Sequence, residues 1–282
     1  MQTLVLKLTC DDKPGIVSAV STFLAARRCN IAESKQYWDR VSNRFFMRVE
    51  FDTPDGITPT ALEEQFTKTG QEFAMDWSLV DAKQPMKTLI LVSKFDHCLN
   101  DLLYRTRTGA LNIDIVGVAS NHEDSRKLAE DNGYKFHYLP VTKETKAEQE
   151  AQLWQLVQDS GAELVVLARY MQILSDDLCQ KLSGIAINIH HSFLPGFKGA
   201  RPYARAYERG VKLIGATAHY VTADLDEGPI IEQDVERVDH NNSAADLVVI
   251  GADVESYVLA HAVKYHSEHR VLINGERTVV FK

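Results

Sequence analysis

Leu4, Leu6 and Leu8 alternate along the start of the chain, the pattern of a half-buried strand. DDKPG (11–15) breaks that pattern, and Ile16, Val17, Val20 and Leu24 then recur at helical spacing. Ile31 to Trp38 fits a second strand. Phe45, Met47, Val49 and Phe51 alternate as a third. Thr58-Pro59 is a helix start, with Thr at the N-cap and Pro at the first helical position. Met75 to Val80 closes the series as a fourth strand. The order βαββαβ predicts a ferredoxin-like unit over residues 1–82.

Ala82-Lys83-Gln84-Pro85 reads as a short linker, and the periodicity changes after it. TLILVS (88–93), IDIVGVAS (113–120), ELVVLA (163–168) and IAINI (185–189) are continuous apolar runs. Helical stretches separate them near 98–109, 122–132 and 145–160. Runs of this kind suit a mostly parallel sheet covered on both faces. The prediction is therefore α/β: an open, doubly wound domain over 86–282, following the smaller unit. A long helical stretch near 245–265 and a hairpin turning at Asn274-Gly275 complete it. Ligands in such sheets sit at the carboxyl ends of the strands, where Asn188 and His190 fall.

Composition narrows the function classes. With 45% apolar residues, 282 residues can bury a full core without disulfides or a structural metal. The net charge is 31 − 39 = −8 with no long Lys/Arg run, which argues against nucleic-acid or anionic-membrane partners. The four cysteines (Cys10, Cys29, Cys98, Cys179) are scattered, as reduced thiols of a cytosolic protein would be. Lys7, Asp11 and Asp12 come too early for a signal-peptide core, and no apolar run approaches bilayer-spanning length.

Candidate chemistry concentrates in INIHHSFLPGFKGARPY (187–203) and GATAHYVTADLDEGPII (215–231). Positions i and i+2 of a strand share a face, so Asn188 and His190 should converge while His191 points away. An amide and an imidazole aimed at one point would polarise a carbonyl oxygen and stabilise its developing negative charge. Asp226 could hold His190 as imidazolium or take a proton from a nucleophile. His219, on its own apolar strand LIGATAHYV (213–221), could orient either partner. Spacing alone leaves plainer readings open: a strand histidine is more often a packed residue, and an Asp in D-E-G more often a turn former. No metal is expected, because no Cys or further carboxylate falls at a familiar ligand spacing.

The two blocks resemble the formyltransferase-type catalytic domain that uses 10-formyltetrahydrofolate. N-I-H-x-S-x-L-P matches 188–195, and H-x6-D matches His219 to Asp226. The resemblance implies Asn188, His190 and Asp226 as the catalytic trio, with His219 in support. The wording of both blocks is closer still to the formyltetrahydrofolate deformylases, whose N-terminal ACT domain fits the pattern of 1–82. The likeness spans essentially the whole chain. LARYMQILS (167–175) resembles the family's pterin-binding loop, implying backbone contacts near Met171, Gln172 and Leu174. An ordinary strand-to-helix crossing would give the same string.

Purine-pathway transferases of this type carry a Gly-Ser-Gly loop after the first strand, whose N–H groups hold a phosphate. This chain has VSKFDHCLND (92–101) there, without glycine, and the deformylases look alike at this point. His97 and Cys98 read as a helix start with a buried thiol. The implied acceptor is water, with formate and tetrahydrofolate as products, formate feeding purine synthesis and the one-carbon pool. No cofactor is implied beyond the folate substrate. The methionyl-tRNA transferases append a C-terminal domain that helps bind RNA, and here the chain ends soon after the core. DDKPGIV (11–17) resembles the ACT strand-to-helix turn, which implies an amino-acid effector, glycine or methionine, and a homo-oligomer in the cytoplasm. Two other readings remain: a formyltransferase to an unidentified amine, and a non-catalytic folate or amino-acid sensor.

Overall fold

The computed structural model describes residues 2–194 and 202–282. Pro195, which ends the N-I-H-x-S-x-L-P match, lies outside the described residues. The chain divides into two compact units.

The first unit follows the predicted order: β1 (Gln2–Asp11), α1 (Ile16–Ala26), β2 (Asn30–Asp39), β3 (Arg44–Thr53), α2 (Pro59–Glu72) and β4 (Asp76–Asp81). The sheet order is β2-β3-β1-β4, antiparallel throughout. Leu4, Leu6 and Leu8 meet Met47, Val49 and Phe51 beneath the apolar faces of α1 and α2. Thr58 caps α2 as expected, its side chain accepting from the Ala61 N–H at 3.3 Å.

The expected boundary needs correction at the C-terminus. Glu268–Asn274 and Val279–Lys282 belong to the first unit, not to a catalytic segment running unbroken to 282. The cause lies on the second face of β3. Phe45, Met47, Val49 and Phe51 fill one side, whereas Phe46 on the other packs against Leu272 and Phe281. Beside it Arg48, 2% exposed, pairs with Glu33 at 2.7 Å and Glu50 at 2.9 Å and donates to the Glu268 carbonyl at 3.1 Å. Arg270 joins Glu33 at 3.1 Å, and Asn274 donates to Asp39 at 2.8 Å. A buried guanidinium requires such partners, and the C-terminal segment supplies part of them.

The second unit runs β5 (Met86–Val92), α3 (His97–Arg107), β6 (Ile113–Ser120), α4 (Arg126–Asp131), β7 (Phe136–Tyr138), α5 (Lys146–Ser160), β8 (Leu164–Leu167), α6 (Asp176–Lys181), β9 (Ala186–His190), α7 (Pro202–Arg209), β10 (Leu213–Tyr220), β11 (Ile230–Arg237) and α8 (Ala244–Ser267). The terminal hairpin is β12 (Val271–Asn274) and β13 (Arg277–Val280). Seven strands order as β11-β10-β9-β8-β5-β6-β7. β9-β8-β5-β6-β7 are parallel, and β10 and β11 add antiparallel at one edge. The central strands are the predicted apolar runs. Leu89 to Val92 and Leu164 to Val166 are fully buried.

Four elements have no counterpart in the prediction: β7, α6, α7 and β11. The first three are short. β11 reads IIEQDVER because it is a sheet edge whose outer residues meet water. No described helix is long and apolar enough to cross a membrane.

Leu272→Ala removes an apolar side chain that is 5% exposed and packed on Phe46. It should cost about 2–4 kcal/mol, read as a lower urea midpoint at unchanged m-value.

Candidate active site

β9 ends at His190, and antiparallel β10 runs beside it with His219 directly opposite Asn188. Asn188 Nδ2 lies 3.3 Å from His219 Nε2. His219 Nδ1 lies 2.9 Å from the Tyr220 carbonyl, so that nitrogen carries a proton and donates to it, while Nε2 faces both the Asn188 amide and Asp226. The cross-strand pairing thereby fixes both side chains.

After β10 the chain turns back through 221–229 to start β11, with the Tyr220 N–H donating to the Pro229 carbonyl at 2.9 Å. Only glycine fits at 228, where a Cβ would stand 1.7 Å from the Tyr220 carbonyl oxygen. Asp226 takes a left-handed backbone, φ 59°, uncommon for a residue with a side chain. The turn carries its carboxylate to 3.2 Å from His190 Nδ1 and 3.8 Å from His219 Nε2. The structure thus brings together all four residues expected to act: Asn188, His190, His219 and Asp226.

Burial alone would raise the Asp226 pKa. The hydrogen bonds and charges of His190 and His219 outweigh it and hold the carboxyl well below the usual range. Asp226 is therefore an anion at any physiological pH, able to accept a proton or steady an imidazolium. His190 is 5% exposed, and its Nε2 is buried with no hydrogen-bond partner among the described residues. A buried imidazole nitrogen held on its other edge by a carboxylate is suited to grip a substrate oxygen.

His191 departs from the expected alternation. β9 stops at His190, so the rule for a strand no longer applies, and the His191 ring stacks on His190 with centroids 5.1 Å apart. Burial, then the Arg169 and His190 charges, lower its pKa to about 4, so it stays neutral.

Thr217 and Gln233 secure the segment after β9. Thr217 Oγ1 accepts from the Leu194 N–H at 3.1 Å and donates to the Ser192 carbonyl at 3.0 Å. Gln233 Nε2 bridges to Thr217 at 2.9 Å. Across the sheet, Met171, Gln172 and Leu174 lie in the irregular link between β8 and α6. Met171 is half exposed, and Leu174 packs into the core. The Met171 N–H is already committed: it donates to buried Ser93 Oγ at 2.9 Å, which donates to Asn121 Oδ1 at 2.7 Å.

Sequence reasoning missed a second polar cluster, centred on Glu255 of α8. Glu255 is 2% exposed and accepts from Tyr203 Oη at 2.5 Å. It also contacts His97 Nε2 at 2.8 Å and Arg169 Nε at 3.3 Å. Tyr203 reaches it across Gly251, one turn earlier on the same helix face, where a Cβ would meet the ring at 2.1 Å. The Tyr203 ring centroid lies 6.5 Å from that of His191, so this cluster backs the first. The available signal was slight, a glutamate in the mostly apolar stretch 244–263 that also holds Asp246 and Asp253. Cys98 lies fully buried at the start of α3, as expected. His97, Cys98 and Glu255 bring possible metal ligands within 4.8 Å. Their chemistry suits a cation poorly: burial first pushes the thiol pKa up, and the Arg169 guanidinium faces the same carboxylate.

The formyl transferase family model matches residues 86–263, and the ACT domain model matches 2–79. The chain is 53% identical to formyltetrahydrofolate deformylase of Corynebacterium sp. (strain P-1), over 99% of this chain and 98% of that one. The crystal structure of formyltetrahydrofolate deformylase from Burkholderia mallei superposes with a TM-score of 0.96 at 51% identity, covering 100% of both chains. Glycinamide ribonucleotide transformylase 1 from Symbiobacterium toebii covers 71% of this chain and 95% of its own, with a TM-score of 0.66 and 27% identity.

Two measurements check this geometry. Gly251→Ala should force Tyr203 off α8 and cost about 1–3 kcal/mol by thermal or urea unfolding. Because its folded pKa is depressed, Asp226 contributes stability that is present above its unfolded value of about 3.9 and lost as pH falls below it. The urea-midpoint gap between the wild type and Asp226→Asn should therefore narrow from pH 7 to about pH 3. A gap independent of pH would contradict the ion-pair assignment.

Proposed function

The chain belongs to the formyltetrahydrofolate deformylases, within the formyl transferase family, and from this we propose that it hydrolyses 10-formyltetrahydrofolate to formate and tetrahydrofolate. The observation that carries the reading is the buried constellation of Asn188, His190, His219 and Asp226, with His190 Nε2 unpartnered. In this mechanism the Asn188 amide and the His190 imidazole donate to the formyl oxygen as the carbon becomes tetrahedral. Asp226, held as an anion, orients water and accepts its proton, directly or through His219. The new C–O bond forms, the C–N10 bond breaks, and N10 leaves protonated by the same network. The second proton departs as formic acid ionises.

Water as acceptor is supported by the glycine-free turn between β5 and α3. Its His97 side chain is drawn into the Glu255 cluster, leaving no phosphate cradle of the glycine-loop kind. No cofactor beyond the folate is needed for this chemistry. Met171, Gln172 and Leu174 line the proposed pterin contact. In the ACT unit, α1 starts after Gly15 without a side-chain cap, which suits an amino-acid carboxylate such as that of glycine or methionine. The reading extends to a cytoplasmic homo-oligomer that supplies formate to purine synthesis.

Loss of one oxyanion donor costs about 3–4 kcal/mol in the transition state, so Asn188→Ala should lower kcat by about 10²–10³. Asp226→Ala should fall as steeply, with folate binding little changed in both. Formate release from 10-formyltetrahydrofolate alone is the direct assay. Formyl transfer that appears only on adding an amine would favour a transferase instead.

A further inference from the structure

Hydrogen bonding holds the His190 ring at one edge only. Its Nδ1 lies 3.2 Å from the Asp226 carboxylate, and its Nε2 has no hydrogen-bond partner among the described residues. The torsion that turns an imidazole about its stem has a broad minimum, so one contact at one nitrogen leaves the ring able to rock. A group that must meet a reacting atom tolerates little of this, since a misplacement of about 1 Å can cost about a hundredfold in rate. The plane of the ring needs a second support.

His191 lies against that plane. The two rings stack with centroids 5.1 Å apart and planes inclined by 23°, the offset arrangement that ring pairs prefer. Consecutive residues of a strand point to opposite faces, so the stack exists only because β9 ends at His190. The backbone beyond is pinned. Thr217, opposite His190 in the β9–β10 register, holds the Ser192 carbonyl at 3.0 Å and the Leu194 N–H at 3.1 Å. His191 is itself backed by the Tyr203 ring, whose centroid lies 6.5 Å away. Tyr203 is anchored in turn, its hydroxyl donating to buried Glu255 at 2.5 Å. The His191 side chain is thus placed by ring contacts on both His190 and Tyr203. Burial first, then the neighbouring Arg169, lowers its pKa to about 4, so it faces His190 as a neutral ring.

We propose that His191 is a positioning residue of the reaction: its ring, backed by Tyr203, is the wall that holds the His190 imidazole in plane while Asp226 holds its edge. The effect on turnover rests on the deformylase reading; the ring support rests on the side chains.

The test compares His191→Ala, which removes the ring, with His191→Phe, which keeps a neutral aromatic face without ring nitrogens. In formate release from 10-formyltetrahydrofolate, kcat should fall about ten- to a hundredfold in His191→Ala, with KM within about twofold. His191→Phe should recover kcat to within about threefold of the wild type. In the folate-free protein, the His190 ring resonances, identified by their loss in His190→Gln, should shift and broaden in His191→Ala and return toward their original positions in His191→Phe. Circular dichroism establishes that each variant is folded. If His191→Ala does not fold, His191→Asn removes the aromatic face at similar size and should show the same loss. Unchanged kcat in folded His191→Ala would overturn the proposal. Equal losses in His191→Ala and His191→Phe would also overturn it and assign the role to a ring nitrogen. A raised KM with kcat retained would do so too, making His191 a substrate contact. Where the wild type shows no deformylase turnover, the functional reading falls and the His190 resonances alone decide whether His191 supports the ring.

Discussion

The contact between His190 Nδ1 and Asp226 Oδ1 organises the catalytic unit. It joins the end of a parallel strand to a turn beyond an antiparallel one, two places that meet only because β10 lies beside β9. Removing one partner of a buried ion pair commonly costs about 3–5 kcal/mol, since the other is left uncompensated. The arrangement also holds the Asp226 carboxyl well below its usual range and leaves His190 Nε2 without a hydrogen-bond partner among the described residues. Gly228 makes this possible, because the returning turn presses on the Tyr220 carbonyl with no room for a side chain.

Glu255 is a second organiser. Its buried carboxylate collects side chains from α3, from the link after β8 and from α7. One of the three acidic residues of α8, the buried one, therefore bears on three segments around the site. His97, the residue that opens α3 after the β5 turn, supplies one of those side chains, turned inward to this carboxylate.

The N-terminal unit solves a different problem. Its sheet buries one face under α1 and α2 in the usual way, yet β3 is buried on both sides. The last residues of the chain supply the second cover, with Leu272 and Phe281 on Phe46 and the Glu268 backbone carbonyl for Arg48. A charged residue on what reads as a solvent face is stable there because its two nearby carboxylates, Glu33 and Glu50, are joined by the Glu268 carbonyl, 220 residues away in sequence.

Much of this was legible in the chain. Strict alternation marked β1 and β3, helical spacing marked α1, and continuous apolar runs marked β5, β6, β8 and β9. Periodicity reports which side of an element a residue faces, and that depends only on local backbone geometry. It placed Asn188 and His190 on one face but misjudged His191, because the strand ends one residue earlier. It could not say that His219 lies opposite Asn188, that Met171 spends its N–H on Ser93, or that Glu255 gathers His97, Arg169 and Tyr203. Those facts depend on strand register and on contacts between residues far apart in sequence. Residue types and their spacing were set by the sequence alone, whereas tertiary pairing, which no local period encodes, decided which polar groups are satisfied and which are left to meet a substrate.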